Sequence, residues 1–165
     1  MTILPSFYYP RLILFFLIAL DLFSKQCARR FLAQDTPVFL FGDAITLMVV
    51  TNYDGFAGTM AAMPHWLHQL LSIYVFAVAT TLLVVVLLKK EKSQDSYVLP
   101  LVLVTAGALG NGIDKIMHGG GVTDFIQLNI ALLQTGIFNF ADFFIISGSF
   151  GAGYVWFSCQ KEGPV

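Results

Sequence analysis

The sequence is poor in charge: 12% of its 165 residues are Asp, Glu, Lys or Arg, whereas 57% are hydrophobic. Soluble domains carry about 25% charged residues because their surface faces water. The deficit indicates a membrane protein, in which much of the surface faces lipid. The formal net charge of −1 gives no basic excess of the kind that attracts nucleic acid. We therefore expect membrane lipid, and not nucleic acid, as a partner.

Cysteine is also scarce. The two cysteines, Cys27 and Cys159, are too few for a disulfide framework and are predicted to be free thiols. The sequence contains no cofactor motif, so no cofactor is predicted. His65 and His68 have helical i, i+3 spacing, but no third ligand accompanies them, and no metal site is predicted.

Long hydrophobic stretches are what the chain does have. A helix needs about 20 largely apolar residues to cross the hydrocarbon core of a bilayer. The stretch 66–88 contains no charged residue, and three others approach this length with few charges. We predict a single integral membrane domain, 1–165, with transmembrane helices at about 11–32, 66–88, 97–117 and 136–157.

The first stretch could also be a cleavable signal peptide. Such a peptide has small residues and a cleavage site directly after its apolar core. Here the apolar run 12–20 is followed by Asp21, Lys25, Arg29 and Arg30. We therefore interpret it as a retained transmembrane helix.

Basic residues predict the orientation. Lys and Arg in short loops favour the cytoplasmic side, and the densest basic cluster, at 89–92, lies between the second and third predicted helices. Both termini are then cytoplasmic as well, next to Arg11 and Lys161. Arg29 and Arg30 fall on the outer side and oppose the rule.

Two segments would lie on the outer side. The segment 33–64 contains a β-branched run at 45–51 with turn residues at each end, which predicts a strand or hairpin resting on the membrane surface. The segment 118–135 contains three consecutive glycines, and no strand is predicted there. The predicted fold class is an all-α membrane protein with four transmembrane helices and a small β-containing extracytoplasmic segment between the first two.

Polar residues of the predicted helices gather at one level. An ionisable group at mid-membrane costs at least ~2.5 kcal/mol and usually faces a partner or a water-filled cavity. With a rise of ~1.5 Å per residue, the polar residues of three predicted helices and one outer loop lie near the outer leaflet. Clustering at one depth is typical of an active or ligand site, and Asp21 and Lys25, at i and i+4, are expected to pair. The other members are Asn111, Asp114, Lys115, Asp124, Asn139 and Asp142.

The same residues carry a family resemblance. Residues 21–25 (Asp-Leu-Phe-Ser-Lys) resemble the Asp-x-x-Ser-Lys motif of lipoprotein signal peptidase, or signal peptidase II. Residues 107–114 resemble its Gly-x-x-Gly-Asn-x-x-Asp motif, 122–125 its Val-x-Asp-Phe, and 138–142 its Phe-Asn-x-Ala-Asp. One such motif is weak, whereas four in the family's order, in a resemblance that covers residues 11–157, are specific.

The resemblance implies an aspartyl endopeptidase of the bacterial inner membrane, with its active site near the outer, periplasmic face. Asp124 and Asp142 would be its catalytic dyad. The substrate would be a diacylglyceryl-modified prolipoprotein, cleaved just before the lipidated cysteine to release the signal peptide. We expect a monomer. Residues expected to bind substrate or support the site are Asn52, Gly55, Asn111, Lys115, Asn139, Asp21, Lys25 and Asp114.

Two aspartates suffice for amide hydrolysis when one is ionised and the other protonated. The carboxylate deprotonates a water molecule, and the acid polarises the scissile carbonyl and supplies a proton. Two carboxyl groups about 3 Å apart cannot both ionise, so one pKa is raised. The pair titrates as a unit, which leaves open whether Asp124 or Asp142 is the acid.

The chain departs from the family pattern at two places. The family usually has Arg directly after the Asn-x-x-Asp motif, whereas this chain has Lys115. Arg offers a planar fork for bidentate contacts and Lys only a point charge. In the first outer loop the family commonly reads Asn-x-Gly-Ala-x-Phe, whereas here Asn52 is followed by a displaced glycine, Gly55. Both departures bear on substrate range more than on chemistry.

Two other functions are compatible with charges in the membrane. A transporter or proton channel would place acids at several depths, whereas Asp21, Asp114 and Asp142 gather near one face. A non-catalytic lipoprotein-binding relative with the same fold is the second alternative, and retention of both dyad aspartates argues against it. Asp114 could be structural as readily as functional. For Asp21 with Lys25 we favour a buried structural pair, even in an active peptidase.

Overall fold

The computed structural model describes residues 9–32, 36–53, 64–88, 96–130 and 133–161. These residues are mostly helical, and the long helices coincide with the predicted apolar stretches to within a few residues at each end. The helices are α1 (Tyr9–Phe31), α2 (His65–Leu88), α3 (Val98–Met117) and α4 (Phe140–Lys161).

The strands form one antiparallel arrangement in the order β1-β2-β3-β4. The predicted strand at 45–51 corresponds to β2, which pairs with β3 so that Val50 lies opposite Asp124. The strands are β1 (Val38–Leu40), β2 (Ile45–Asn52), β3 (Val122–Ile130) and β4 (Leu133–Gln134).

The prediction of an all-α fold with strands only between α1 and α2 is wrong in one respect. The strands β3 and β4 lie between α3 and α4, so the sheet draws on both outer segments. Residues 122–130 form a strand because β2 pairs with them, and that partner is remote in the sequence. Local patterns do not report such pairing. The fold is mostly helical with a four-stranded antiparallel sheet.

The start of α4 is fixed by a reciprocal cap. The helix begins at Phe140, later than the predicted residue 136, because Phe138 forms a bridge with Ile126 of β3. Asn139 Oδ1 accepts a 3.0 Å hydrogen bond from the backbone N–H of Asp142. In return, the backbone N–H of Asn139 donates to Asp142 Oδ2 at 3.2 Å. This capping box stabilises the first turn of α4.

Two apolar clusters hold the molecule together. The first lies where the helices meet and takes buried residues from all four of them. The second, Ala28, Val49 and Phe125, joins the end of α1 to β2 and β3. The sheet therefore lies against one end of the helix bundle. The members of the first cluster are Leu14, Val86, Val102, Ala106 and Phe144.

Two helices of the described chain, Val98–Met117 and Phe140–Gln160, are long and apolar enough to cross a membrane. The helix α2 adds a shorter apolar stretch, Ile73–Val86. The helix α1 is long enough but carries five charged residues, Arg11, Asp21, Lys25, Arg29 and Arg30. The four-span topology therefore stays a prediction.

Candidate active site

Asp124 and Asp142 line one cavity of about 520 Å³. Asp124 lies on β3 and is buried, with 3% of its surface exposed, and Asp142 lies half-buried in the first turn of α4. Among the described residues, Asn139 contacts both. Its Nδ2 donates to Asp124 Oδ1 at 2.7 Å, while its backbone N–H and side-chain oxygen form the capping box with Asp142.

Two further asparagines contact the outer oxygens of these carboxyl groups. Asn52, at the end of β2, donates from Nδ2 to Asp124 Oδ2 at 3.0 Å. Asn111, on α3, donates from Nδ2 to Asp142 Oδ1 at 2.9 Å. Both oxygens of each carboxyl group thus accept a hydrogen bond, which fixes the orientation of both side chains.

A buried charged pair lies directly behind Asn111. Asp21 and Lys25 of α1 are fully buried and form a 2.8 Å salt bridge, as their spacing predicts. The Lys25 ammonium group also donates to Asn111 Oδ1 at 2.8 Å. Asp21 Oδ1 accepts the backbone N–H of Ala141 at 2.8 Å. The pair does not line the cavity, but it contacts the immediate neighbours of Asp142 on both α3 and α4.

A second charged cluster lies at the beginning of β3. Asp114 of α3 is fully buried and its Oδ1 accepts a 2.9 Å hydrogen bond from Arg29 of α1. Its Oδ2 accepts the backbone N–H of Thr123 at 2.7 Å. Arg29 also donates to Thr123 Oγ1. His118 lies 3.0 Å from Asp114 through Nδ1.

The cavity is mainly apolar. Residues of α2, α3 and α4 form its walls, together with β2, β3 and the segment before α4. Its charged lining residues are Asp124, Asp142 and Lys115. The apolar members include Leu71, Val75, Phe76, Ala108, Phe143, Ile145 and Ile146.

Burial raises the pKa of Asp124 from its ordinary value of 3.8 to about 6. The hydrogen bond from Asn52 opposes this shift, because it stabilises the ionised form. The negative charge of Asp142 raises the pKa further, and the hydrogen bond from Asn139 lowers it. A carboxyl group with this pKa can exchange a proton near neutral pH, as acid–base catalysis requires.

Most of the predicted site residues are brought together. Three asparagines contact the two aspartates, namely Asn52, Asn111 and Asn139. Behind them, Asp21 contacts Ala141 and Lys25 contacts Asn111. Lys115 lines the cavity, whereas Asp114 belongs to the separate cluster at β3. Gly55 lies outside the described residues.

Sequence reasoning missed Arg29 and Thr123. A signal for Arg29 was present, because it opposed the positive-inside rule and so called for a partner within the fold. The capping box of Asn139 and Asp142 was also readable, since an Asn-x-x-Asp pattern precedes the apolar run of α4. Within the described residues, no group of three or more His, Cys, Asp or Glu side chains could hold a metal ion.

Comparison with solved structures shows the fold. A bacterial membrane enzyme determined by the in meso method at 2.3 Å resolution superposes with a TM-score of 0.77. It is 20% identical, and the match covers 94% of this chain and 92% of that one. A second bacterial membrane enzyme, determined at 1.9 Å resolution, gives a TM-score of 0.70 at 22% identity over 90% and 92% of the two chains.

Comparison of sequences shows the family. The lipoprotein signal peptidase of Buchnera aphidicola subsp. Schizaphis graminum is 30% identical over 82% of this chain and 85% of its own length. That of Hydrogenovibrio crunogenus is 32% identical over 81% of this chain and 76% of its own. The family model described as signal peptidase (SPase) II matches residues 13–157. The chain, a bacterial membrane peptidase, therefore belongs to the signal peptidase II family.

Proposed function

We propose that this chain is an integral membrane aspartyl endopeptidase that removes signal peptides from diacylglyceryl-modified prolipoproteins, cleaving just before the lipidated cysteine. Its family and the lipoprotein signal peptidases among its relatives support this substrate class. One observation carries the aspartyl mechanism. Asp124 and Asp142 are joined through Asn139 and line the same cavity.

The proposed reaction uses the two carboxyl groups in opposite protonation states. The ionised one takes a proton from a water molecule, whose oxygen attacks the scissile carbonyl carbon while the protonated one donates to the carbonyl oxygen. When the intermediate collapses, the C–N bond breaks and the leaving nitrogen takes a proton from the dyad. Burial at Asp124 favours the shared-proton state, because it disfavours a second negative charge.

The shape and lining of the cavity support a lipidated peptide as substrate. Its volume of about 520 Å³ lies within the ~300–1,000 Å³ range of ligand sites. Apolar walls from α2, α3 and α4 suit an apolar chain, and the polar groups gather around the dyad. Diacylglycerol would keep the modified cysteine at the lipid–water boundary, so the scissile bond meets the dyad there.

We further propose that all four helices cross the membrane. Large apolar side chains are exposed on each of them, among them Phe15 of α1, Tyr74 of α2, Leu99 of α3 and Phe150 of α4. Soluble monomers rarely expose large contiguous apolar patches, so contact with lipid accounts for this surface. The protein would act as a monomer in the inner membrane.

In this topology both termini are cytoplasmic and the dyad lies near the periplasmic face. The C-terminal ends of α1 and α3 and the start of α4 meet at the sheet. Arg29 is only weak evidence against this orientation, because it is paired with Asp114 inside the fold and is not a free loop charge.

Cleavage of a diacylglyceryl-modified prolipoprotein by the purified full chain in detergent tests the proposal. Asp124→Asn and Asp142→Asn should each reduce kcat by roughly 10²- to 10⁴-fold, the usual contribution of acid–base catalysis. Asp43→Asn is the matched control. Asp43 is exposed in the turn after β1, so this variant should cleave the substrate like the wild type.

Three results would contradict the proposal in different ways. Equal activity in the wild type and both dyad variants would exclude the aspartyl mechanism. A folded wild type that binds lipidated prolipoproteins without cutting them would identify a non-catalytic lipoprotein binder. Cleavage of unlipidated precursors at the same rate would exclude the lipid as part of the substrate.

A further inference from the structure

We propose that Arg29 is a positioning residue for the reaction: with Asp114, it holds the beginning of β3 so that Asp124 faces Asp142. The inference rests on the proposed function. It assigns a catalytic consequence to a residue of α1 that does not line the cavity itself.

Thr123, the residue before Asp124, is held at three of its polar atoms. Its backbone N–H donates to Asp114 Oδ2 at 2.7 Å, and its Oγ1 accepts a hydrogen bond from Arg29. Its carbonyl oxygen accepts a hydrogen bond from Asn139 Nδ2 at 3.2 Å. Thr123 is thus tied to α1, to α3 and to the residue that bridges the dyad.

A fixed Thr123 fixes the direction of the next side chain. Successive residues of a strand point to opposite faces, so holding Thr123 against the helices sets the direction of the Asp124 carboxyl group. On the neighbouring strand, Thr123 pairs with Thr51 and Asp124 with Val50 in regular register, and the register shifts only beyond Val50, toward Leu47. The strand β2 therefore holds one edge of Thr123, and the contacts from α1, α3 and Asn139 hold its remaining polar atoms.

The energetics explain why Arg29 and Asp114 act together. Asp114 is fully buried, and 23% of the Arg29 side chain is exposed. A buried carboxylate is tolerated only when it is paired and hydrogen-bonded, and Arg29 supplies that charge. Within the residues that the structure describes, removal of Arg29 therefore leaves the buried Asp114 with only His118 and the Thr123 N–H as partners, and it frees the Thr123 hydroxyl group at the same time.

The experiment compares Arg29→Met with Arg30→Met, which alters the neighbouring exposed arginine. Arg29→Met should lower kcat for the lipidated prolipoprotein by roughly 10- to 100-fold, the effect of a misplaced reacting group. The KM should stay within about twofold, because the cavity is unchanged. Thr123→Val removes the same contact from the other side and should give a similar loss. Arg30→Met should match the wild type.

A double variant separates positioning from folding. Arg29→Met combined with Asp114→Asn removes the buried negative charge that has lost its arginine, while an oxygen still faces the Thr123 N–H. Its Tm in detergent should recover toward that of the wild type, while kcat stays low. Recovery of kcat together with Tm would overturn the inference, as would wild-type kcat in Arg29→Met. A wild type that cuts no lipidated precursor would overturn the proposed function and this inference with it.

Discussion

Asn111 reaches Asp142 through a 2.9 Å hydrogen bond from Nδ2 to Oδ1, and a lysine on another helix sets its direction. Lys25 has only donors, so the oxygen of Asn111 must face it. The nitrogen of the same amide is then turned toward Asp142. A buried cation on α1, together with Asn139 Nδ2 at 3.1 Å, thus orients the amide so that its N–H donates to the carboxyl group on α4.

Lys25→Met should destabilise the protein by roughly 3–5 kcal/mol, because it leaves the fully buried Asp21 without its charged partner. Cleavage should fall as well, since in the described part of the chain only Asn139 Nδ2, at 3.1 Å, then holds the oxygen of Asn111. Thermal unfolding in detergent and the cleavage rate measure the two effects. Gln26→Met changes an exposed neighbour on the same helix and should leave both unaltered. An unchanged Tm in Lys25→Met would contradict the pairing.

Substitution of Asn139 should separate its two roles. Asn139→Ser keeps an oxygen for the helix cap but has no amide to reach Asp124, whereas Asn139→Ala loses both. Both variants should cut roughly 10- to 100-fold more slowly. Only the alanine variant should also lose the cap, at about 1 kcal/mol. Full activity in the serine variant would show that the bridge between the carboxyl groups is dispensable.

The stability of the protein should depend on pH through Asp124. Its pKa is about 6 in the folded protein against 3.8 ordinarily, so protonation favours the folded state. That stabilisation is fully present below about pH 4 and is lost as the pH rises through about 6. Two pKa units correspond to about 3 kcal/mol. Chemical unfolding of the wild type in detergent should therefore show a loss of up to this size, which Asp124→Asn abolishes.

Two variants check the assignment of this pH dependence. Asp43→Asn should retain it in full. Asn52→Leu removes a hydrogen bond that lowers the pKa of Asp124, so the loss of stability should move to higher pH. Identical pH profiles in the wild type and Asp124→Asn would show that another group titrates.

Gly110 should not tolerate a side chain. A Cβ atom there would lie 2.5 Å from Asp21 Oδ2 and 3.5 Å from the Cβ of Ala141. Gly110→Ala should cost about 1–3 kcal/mol from overpacking and should disturb the contact of Lys25 with the site. Gly153→Ala on α4 is the control, because no atom lies within 4 Å of the added methyl group. Thermal unfolding of both variants is the measurement, and equal Tm values would contradict the prediction.

Local patterns predicted what local spacing determines. The i, i+4 spacing of Asp21 and Lys25 predicted their salt bridge, which is confirmed at 2.8 Å. The β-branched run at 45–51 predicted the strand β2. In each case the decisive interactions join residues close in the sequence or arise from the residue types themselves.

Contacts between remote segments were not predictable in this way. Asn52 and Asp124 are 72 positions apart, and Arg29 and Asp114 are 85 apart. Pairing of β2 with β3 determines the first contact, and packing of α1 against α3 determines the second. The family resemblance named most of the site residues, but it gave no reason for Arg29, because that residue lies outside the motifs.

The site takes residues from both halves of the chain, and this has a consequence for how the protein forms during synthesis. Asn52 and Lys25 belong to the first half of the chain, whereas Asp124 and Asp142 belong to the second, and Asp142 is set in place by the cap of the last helix. Asp142 cannot lie beside Asn139 and Asp124 in this arrangement until α4 has left the ribosome and joined the bundle. On the proposed mechanism, the order of synthesis therefore delays activity until α4 has joined the bundle.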